Sequence, residues 1–247
     1  MARLAHSVFG SPIDVVDWQS SVARIAGWAA ARESRYVCIC NVHSVVTATQ
    51  DREFADVIRG ADMSTPDGAP VAWLIGKQQK CTQHRINGPD LMWRYLAEGE
   101  AQGGPVFLYG GTDETLGILR SRLRREFPAL RIAGCYSPPF RPLTQDEDHQ
   151  VVEMINASGA TTVWVSLGCP KQEKWMAAHR GRVRAVMIGV GAAFDYHAGT
   201  IKRAPLWMRS VGLEWFHRLA SEPARMWKRY LVTGPKVFSL FAAWRAS

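Results

Sequence analysis

The chain has 247 residues, which fits one large α/β domain or one domain with an appendage. Hydrophobic residues make up 47% of the chain and charged residues 21%, and this balance excludes a wholly disordered protein. The net charge of +8 favours an anionic partner. The sequence predicts no signal peptide, and no apolar run approaches the ~20 residues that a membrane span requires.

The positive charge is concentrated in residues 200–247, which we call the C-terminal segment. It carries nine lysines and arginines against two glutamates, so it accounts for +7 of the net charge. Phospholipid, nucleic acid and a diphosphate are the anions that such a segment could meet. Aromatic residues lie between the basic ones, a pattern typical of segments that rest at a membrane interface. We therefore expect residues 1–199 and 200–247 to form separate units.

The five cysteines predict a reducing compartment. Their odd number and irregular spacing make a poor disulfide framework, and the C-x-C of Cys38 and Cys40 lacks the second ligand pair of a zinc site. We expect a cytoplasmic protein with buried, reduced thiols at all five positions: Cys38, Cys40, Cys81, Cys135 and Cys169.

Apolar, β-rich runs alternate with turns containing Gly or Asn and with helical stretches. This pattern predicts a mainly parallel sheet with helices on both faces, a Rossmann-like α/β fold that binds ligands outside the carboxyl ends of its strands. The predicted strands are Tyr36–Cys40, Pro105–Tyr109, Thr162–Leu167 and Ala185–Ile188. The first three lead into the helices Ser44–Ile58, Glu114–Phe127 (capped by Thr112 or Asp113) and Lys171–His179.

Three further helices are predicted in the C-terminal segment. Leu206–Ala220 has an apolar face at helical spacing. Ser221 is expected to cap a second helix, which tolerates Pro223 in its first turn and stops at Gly234. Lys236–Trp244 forms the third.

The turn Thr65-Pro66-Asp67-Gly68 could carry chemistry. Pro66 fixes its own φ and biases Thr65 to extended backbone, while Gly68 permits a sharp turn. Together they could present the Asp67 carboxylate into a cleft, where it would deprotonate an attacking hydroxyl. An ordinary Asp-Gly turn explains the same residues, so the local sequence leaves both interpretations open.

A second polar turn runs from His84 to Asp90 and opens a helix. Arg85 could reach a phosphate, whereas Asp90 could simply cap the helix. A third turn, Gly168–Lys174, also opens a helix, whose backbone N–H groups favour anions. Its Gln172 could bond a sugar or uracil, and the alternative is a solvated, capped helix start.

The fourth turn, Gly189–Asp195, resembles a dinucleotide fingerprint only in part, because Phe194 replaces the third glycine. The sequence predicts no metal site and no cofactor. Its seven histidines form neither H-x-x-x-H nor H-E-x-x-H. The acidic run Asp146–Asp148 follows Thr144 and is interpreted as the first turn of a helix.

Eight short motifs follow one another along nearly the whole chain: T-P-D-G (Thr65–Gly68), R-x-x-G-x-D (Arg85–Asp90), L-Y-G-G (Leu108–Gly111), G-x-P-K-Q-E-K-W (Gly168–Trp175), G-V-G-x-x-F-D (Gly189–Asp195), K-R-A-P-x-W-M-R (Lys202–Arg209), G-L-E-W-x-x-R-L (Gly212–Leu219) and E-P-x-R-x-W-K-R-Y (Glu222–Tyr230). In this order they resemble the WecG/TagA/CpsF family of bacterial glycosyltransferases, family 26.

The resemblance implies a metal-independent, inverting transfer of a hexose-type sugar. The donor would be a UDP-sugar, and the acceptor a saccharide on polyprenyl diphosphate in exopolysaccharide or cell-envelope polymer synthesis. Asp67 would be the general base. Residues 1–199 would form the catalytic domain that binds the nucleotide sugar. The C-terminal segment would dock on the anionic inner face of the cytoplasmic membrane and close over the active site.

The matched motifs also assign two groups of binding residues. Those expected to bind the donor nucleotide are Asn41, Gly68, Arg85, Asp90, Gly110, Gly111, Gly168, Pro170, Lys171, Gln172, Gly189, Gly191 and Asp195. Those expected to meet the acceptor diphosphate or the membrane are Lys202, Arg203, Arg209, Arg218, Arg225, Lys228 and Arg229.

One departure from the family bears on the donor. Many members carry Thr-x-Asn at the end of the first strand, where this chain has Ile39-Cys40-Asn41, followed by His43. The asparagine is kept and the threonine hydroxyl is lost. Members use N-acetylmannosamine, its uronic acid or glucose as the donor sugar, and the sequence leaves all three open.

Two other functions compete with the glycosyltransferase. A nucleic-acid-binding protein could use the basic, aromatic tail, but no RNP, KH or helix-turn-helix signature accompanies it, so we expect no nucleic-acid partner. An NAD-dependent oxidoreductase would need a complete G-x-G-x-x-G. The apolar surface of the tail also leaves a contact between subunits, and hence a homo-oligomer, open.

Overall fold

The structure, a computed structural model, describes residues 3–99 and 104–227 together with residues 236, 237, 240 and 241. Lys228, Arg229 and most of the helix predicted at Lys236–Trp244 lie outside the described residues.

The strands form a small hairpin and a larger sheet. In chain order they are β1 (Ala5–Val8), β2 (Ser11–Asp14), β3 (Arg35–Cys40), β4 (Met63–Pro66), β5 (Val106–Gly110), β6 (Ile132–Tyr136), β7 (Thr162–Ser166) and β8 (Val186–Gly189). β1 and β2 pair antiparallel. The other six strands are all parallel, in the spatial order β4-β3-β8-β7-β5-β6, which confirms the parallel sheet predicted from the alternating pattern.

The described helices are α1 (Trp18–Ala30), α2 (Val42–Gln50), α3 (Arg52–Gly60), α4 (Ala69–Gln79), α5 (Gly88–Gly99), α6 (Asp113–Glu126), α7 (Gln145–Ala157), α8 (Lys171–His179), α9 (Ala193–Ala198), α10 (Leu206–Ser210), α11 (Glu214–Ser221) and α12 (Pro223–Trp227).

Helices cover both faces of the sheet, as the continuous apolar strands predict. Successive strand side chains point to opposite faces. In β3, Cys38 and Cys40 therefore join one apolar core, shared with α2, α3, α4, α7 and α8. Val37 and Ile39 join the other core, shared with α1, α5, α6 and α9.

Two helix predictions are wrong because polar residues and glycine interrupt them. The stretch 44–58 is two helices, since Asp51 adopts an extended backbone and its carboxylate accepts the Phe54 N–H at 3.0 Å. The stretch 206–220 is also divided, at Gly212, where φ is +78°. Ser221 ends α11 and donates its hydroxyl to the His217 carbonyl, so it does not cap the next helix.

Other local predictions are confirmed. Thr112 caps α6, since its hydroxyl accepts the Thr115 N–H at 3.1 Å. Thr144 and Glu147 form a capping box at α7, whose first turn is acidic. The short strand β4 was not predicted, and it lies at the edge of the sheet, where its Pro66 is tolerated.

The prediction of free thiols is confirmed at all five cysteines, but the prediction that they are buried is confirmed at only two. All five are free, and burial raises the pKa of Cys38 and Cys40. Cys135 and Cys169 are partly exposed, and Cys81 is exposed, so burial was wrongly predicted at these three positions. Within the described ranges, no helix is long and apolar enough to cross a membrane.

Candidate active site

The carboxyl edge of the sheet collects the polar turns that the sequence singled out. β3 leads into Asn41, β4 into Asp67, β7 into Gly168 and β8 into Gly191. β3 and β8 are neighbours, yet α2 packs on one face of the sheet and α9 on the other. Connections that diverge in this way open a crevice that is the usual ligand site of a parallel sheet. We call the space bordered by Asn41 and the turns 168–172 and 189–191 the central crevice.

Asp67 is held by backbone hydrogen bonds on both sides of its strand. Its N–H donates to the Cys40 carbonyl at 2.8 Å, and the preceding Pro66 carbonyl accepts the Ile86 N–H at 2.8 Å. Gly68 then turns the chain at φ +84° and begins α4. These contacts fix the backbone, so the partly exposed Asp67 carboxylate is presented at the edge of the sheet.

Arg85 links Asp67 to the C-terminal segment. Its Nε lies 3.7 Å from Asp67 Oδ1, and its Nη2 donates to Glu214 Oε2 at 2.6 Å. All three side chains are about four-fifths buried, with exposures of 19% for Arg85, 22% for Asp67 and 17% for Glu214. Burial lowers the pKa of Arg85, but the two carboxylates outweigh burial and raise it above its usual value.

A second set of contacts extends from Glu214. Arg203 Nε lies 3.6 Å from Glu214 Oε1, and the Arg203 guanidinium donates to both Asp90 oxygens at 2.5 and 3.0 Å. Burial raises the pKa of Asp90, but the bonds from Arg203 and Asn87 lower it below its usual value. We call Asp67, Arg85, Glu214, Arg203 and Asp90 the charged network.

The charged network corrects the role expected for Asp90. Asn87 Oδ1 accepts the Asp90 N–H at 3.0 Å, so Asn87 caps α5. The Asp90 carboxylate is instead occupied by Arg203 and by Asn87 Nδ2, which donates at 2.8 Å. Asp90 therefore does not cap this helix, which was one of the two interpretations left open by the sequence, and its carboxylate joins α5 to the C-terminal segment.

Gln172 lies between two of the turns that border the central crevice. It is buried, and its side-chain Oε1 accepts the Gly191 N–H at 3.0 Å. Its Nε2 donates to Glu173 Oε1 at 2.9 Å. The amide therefore ties the turn after β7 to the turn after β8.

Glycines allow the turns of the central crevice to approach one another. A Cβ on Gly189 would lie 2.8 Å from Met176 Cε, and one on Gly88 would lie 2.6 Å from the Val190 carbonyl oxygen. At the next turn, a Cβ on Gly110 would meet the carbonyl of Ser166, and the Gly111 N–H donates to the same carbonyl at 3.1 Å. These positions serve close backbone packing.

α9 is anchored beneath the crevice by a buried histidine. His197 Nε2 lies 2.9 Å from the Pro89 carbonyl oxygen, and its ring stacks on Trp93 at a centroid distance of 4.7 Å. Burial lowers the pKa of His197 to about 4, so the ring is neutral near pH 7. Asp195, on the same helix, accepts the Thr200 hydroxyl at 3.4 Å.

The remaining residues that the sequence assigned to substrate binding are spread around the central crevice and the charged network. Lys171 and Lys202 are exposed, Arg209 Nη1 lies 3.9 Å from Asp90, and Arg218 lies 3.9 Å from Glu222. Pro170 and Gly168 form the turn before α8, while the next lysine along, Lys174, pairs with Asp51 and Glu53. No side-chain placement is described for Arg225, Lys228 or Arg229.

Sequence reasoning missed Glu214 and Asn87. Glu214 is part of the G-L-E-W motif, but the sequence alone marks it only as one of two acidic residues in a basic segment. The pairing of Glu214 with Arg85 joins residues 129 positions apart, and no local pattern indicates such a contact. Among the described residues, no three His, Cys, Asp or Glu side chains are grouped as metal ligands would be.

The parallel sheet and the polar turns at its carboxyl edge define a Rossmann-like α/β enzyme. The chain belongs to the glycosyl transferase WecG/TagA/CpsF family, whose model matches residues 6–247, and it is a glycosyltransferase. This membership supports the glycosyltransferase over the two alternatives, a nucleic-acid-binding protein and an NAD-dependent oxidoreductase.

A curated relative narrows the comparison. The chain is 35% identical over 192 residues to an N-acetylglucosaminyldiphosphoundecaprenol N-acetyl-beta-D-mannosaminyltransferase of Bacillus subtilis (strain 168). The match covers 77% of this chain and 73% of the relative. The relative's name describes transfer of N-acetylmannosamine to a sugar carried on undecaprenyl diphosphate.

Proposed function

We propose that this enzyme transfers N-acetylmannosamine from a UDP-linked donor to N-acetylglucosamine on polyprenyl diphosphate, with inversion at the anomeric carbon. The observation that carries the mechanism is the placement of Asp67 at the edge of the sheet, beside Arg85 and the central crevice. The relative named for this acceptor and this sugar supports the choice of substrates.

In the proposed reaction, Asp67 accepts the proton of the acceptor hydroxyl as that oxygen attacks the anomeric carbon. The bond from the anomeric carbon to the diphosphate oxygen breaks, and UDP departs with the electron pair. Negative charge therefore develops on the diphosphate while Asp67 becomes neutral. The cation of Arg85 can stabilise this redistribution, because it lies between the base and the rest of the charged network.

The donor is proposed to occupy the central crevice. The Gln172–Gly191 hydrogen bond supports this assignment, because it fixes two turns against which a nucleotide can pack. The backbone N–H groups at the start of α8, a helix of nine residues, favour the donor diphosphate. In this proposal Gln172 shapes the crevice from beneath rather than bonding the uracil or the sugar, because its amide is buried.

The C-terminal segment is proposed to dock on an anionic membrane surface while its inner side completes the site. Two of its residues, Arg203 and Glu214, belong to the charged network. Its outer side exposes large apolar side chains, among them Trp207 at 63% and Phe216 at 54%. Aromatic and basic side chains on one surface suit peripheral attachment to the inner face of the membrane that carries the acceptor.

A UDP-release assay tests the proposal. The full chain is offered a polyprenyl-diphosphate-linked N-acetylglucosamine together with UDP-N-acetylmannosamine, its uronic acid or UDP-glucose. We expect release of UDP with the first donor and formation of a β-linked product from an α-linked donor. Preferred use of either other donor overturns the choice of sugar, and retention of configuration overturns the single-base mechanism.

A further inference from the structure

A groove of about 790 Å³ runs along the face of α4 that carries Trp73, whose ring also contacts Phe241 at a centroid distance of 6.2 Å. Ala69, Ala72, Trp73, Gly76 and Lys77 line one side of it, at the spacing of three and four that places residues on one face of a helix. The loop after the helix and the turn between α10 and α11 form the other side. We call this feature the α4 groove.

The α4 groove exists because small residues line the helix where its neighbours approach. A Cβ on Gly76 would lie 2.8 Å from the Cys81 carbonyl oxygen, so the loop can fold back against α4 only over a glycine. At the start of the helix, a Cβ on Gly212 would lie 3.3 Å from the Ala69 side chain. The C-terminal segment thus borders the end of the groove nearest to Asp67.

The charges of the α4 groove are all positive. Lys77, Lys80, Arg85 and Arg209 line it, and no carboxylate is among its described lining residues. Arg85 is already bonded to Glu214, at 2.6 Å. Lys77 and Lys80 are both exposed, and the Lys77 ammonium lies 5.5 Å from the centroid of the Trp73 ring. Among the residues described, no ion pair to a carboxylate involves either lysine. The lysines are therefore the cations of the groove that remain available to an anion.

The order of side chains along α4 matches the order of groups in the proposed acceptor. Trp73, which is 46% exposed, lies one turn beyond Ala69, and Lys77 lies one turn further. At 1.5 Å per residue, Lys77 is about 12 Å along the helix from Ala69. Helical side chains tilt back toward the N-terminus, so the ammonium group reaches back toward Asp67. Asp67, Trp73 and Lys77 therefore follow one another in the same order as the attacking hydroxyl, the sugar ring and the diphosphate of the acceptor.

We infer that the α4 groove is the binding site of the lipid-linked acceptor. Lys77 and Lys80 hold its diphosphate, and Trp73 packs on the apolar face of its sugar, which places an acceptor hydroxyl beside Asp67. The inference rests on the proposed function for the identity of the acceptor. It also differs from the assignment suggested by the family motifs, since Arg203 is bonded to Asp90 and Arg218 lies near Glu222.

A binding experiment without donor tests the α4 groove independently of catalysis. The probe is a short-chain prenyl diphosphate carrying N-acetylglucosamine, titrated into the full chain by calorimetry. We expect the double variant Lys77→Gln/Lys80→Gln to raise the dissociation constant about tenfold, because two charge-assisted contacts are lost. The matched control is Arg124→Gln/Arg125→Gln, which removes the same charge from the last turn of α6. Equal affinity in the two double variants overturns the inference.

Two further measurements separate the acceptor from other sources of phosphate. Binding to phosphatidylglycerol vesicles that contain no acceptor should be the same for both double variants. A loss of vesicle binding confined to the lysine variant, with the probe bound normally, would assign the lysines to lipid headgroups and overturn the inference. If the probe binds as expected but the wild type releases no UDP from any donor, the proposed function fails while the binding site stands.

Cys81 supplies a local readout of occupancy. Its exposed thiol lies in the wall of the α4 groove, whereas Cys38 and Cys40 are buried. The probe should slow alkylation of Cys81 by a maleimide, measured by peptide mapping, and should protect it less in the lysine variant. Unchanged alkylation at a saturating probe concentration would place the acceptor elsewhere.

Discussion

The central crevice and the charged network meet at one edge of the sheet, but they are built by different forces. The crevice depends on close backbone packing at glycines and on the buried Gln172 amide, which bonds Gly191. The charged network depends on ion pairs between residues 1–199 and the C-terminal segment, such as Arg85 with Glu214. The first arrangement is fixed by neighbouring strands, whereas the second exists only when the C-terminal segment is in place.

The two regions should respond differently to substitution. Changes in the central crevice should alter donor binding and folding stability together, because its polar groups are also packing elements. Changes in the charged network should act mainly on the chemical step, because Asp67 and Arg85 lie where the proposed reaction takes place. The following predictions test that division.

The largest expected effect is at Asp67. Asp67→Asn keeps the size of the side chain but removes the proton acceptor, so we expect kcat to fall by about 10² to 10⁴-fold. Single-turnover transfer, measured with saturating donor and acceptor, checks the loss. Donor affinity and melting temperature should remain close to those of the wild type. Near-normal turnover by the variant would remove Asp67 from the role of base.

The next effect concerns the outer side of the C-terminal segment. Trp207→Ala together with Phe216→Ala removes two exposed rings, so binding to anionic vesicles should weaken by about ten- to a hundredfold. Vesicle sedimentation measures it. Turnover on a short-chain acceptor in solution should be retained, because neither side chain belongs to the charged network.

A control for the membrane prediction is Ile118→Ala, which removes an exposed apolar side chain from α6 instead. It should leave vesicle binding unchanged. If the tryptophan and phenylalanine variant also sediments normally with vesicles, the C-terminal segment does not dock through these rings.

Sequence patterns predicted the central crevice better than the charged network. The strands β3, β5, β7 and β8 stand out as apolar runs because both their faces are buried, and their turns follow directly. The glycines at 189 and 191 mark close backbone approach, which is a local requirement. The break of the predicted helix at Asp51 was missed because helix propensity alone does not separate a cap from a helical interior.

The charged network could not be predicted from local pattern because its partners are distant in the chain. Arg203 reaches Asp90 across 113 positions, and Arg85 reaches Glu214 across 129. From the sequence, both arginines were equally suited to phosphate. Only the fold reveals that internal carboxylates occupy them, which is why the lysines of α4 emerge as the cations that remain for a ligand.

Glu214 offers the sharpest test of the charged network. Glu214→Gln removes the charge that draws Arg85 away from Asp67, so Arg85 should approach Asp67 and favour its ionised form. The acid limb of the kcat/KM profile should move to lower pH, and the rate at neutral pH should fall about tenfold because a more stabilised carboxylate is a weaker base. A pH–rate series from 4 to 9 measures both.

The control for that series is Glu33→Gln, which removes a carboxylate bonded to Arg35 away from the site. Its pH profile should match the wild type. A loss of rate in Glu214→Gln without movement of the acid limb would assign Glu214 to holding the C-terminal segment in place rather than to positioning Arg85.

The smallest expected effect is at Ile39, where the family commonly has threonine. The Ile39 side chain is 7% exposed and packs in the same core as Ile86 and Phe194, and its register partner is Thr65 on β4. Ile39→Thr therefore exchanges apolar contacts for a hydroxyl, and we expect a loss of about 1–2 kcal/mol in the free energy of unfolding. Because the side chain points into the core, the ranking of the three UDP-sugars should not change. Denaturant unfolding and donor KM values check the two halves of this prediction. A change in ranking would place residue 39 against the donor sugar, and the central crevice would then select its substrate through a side chain as well as through its backbone.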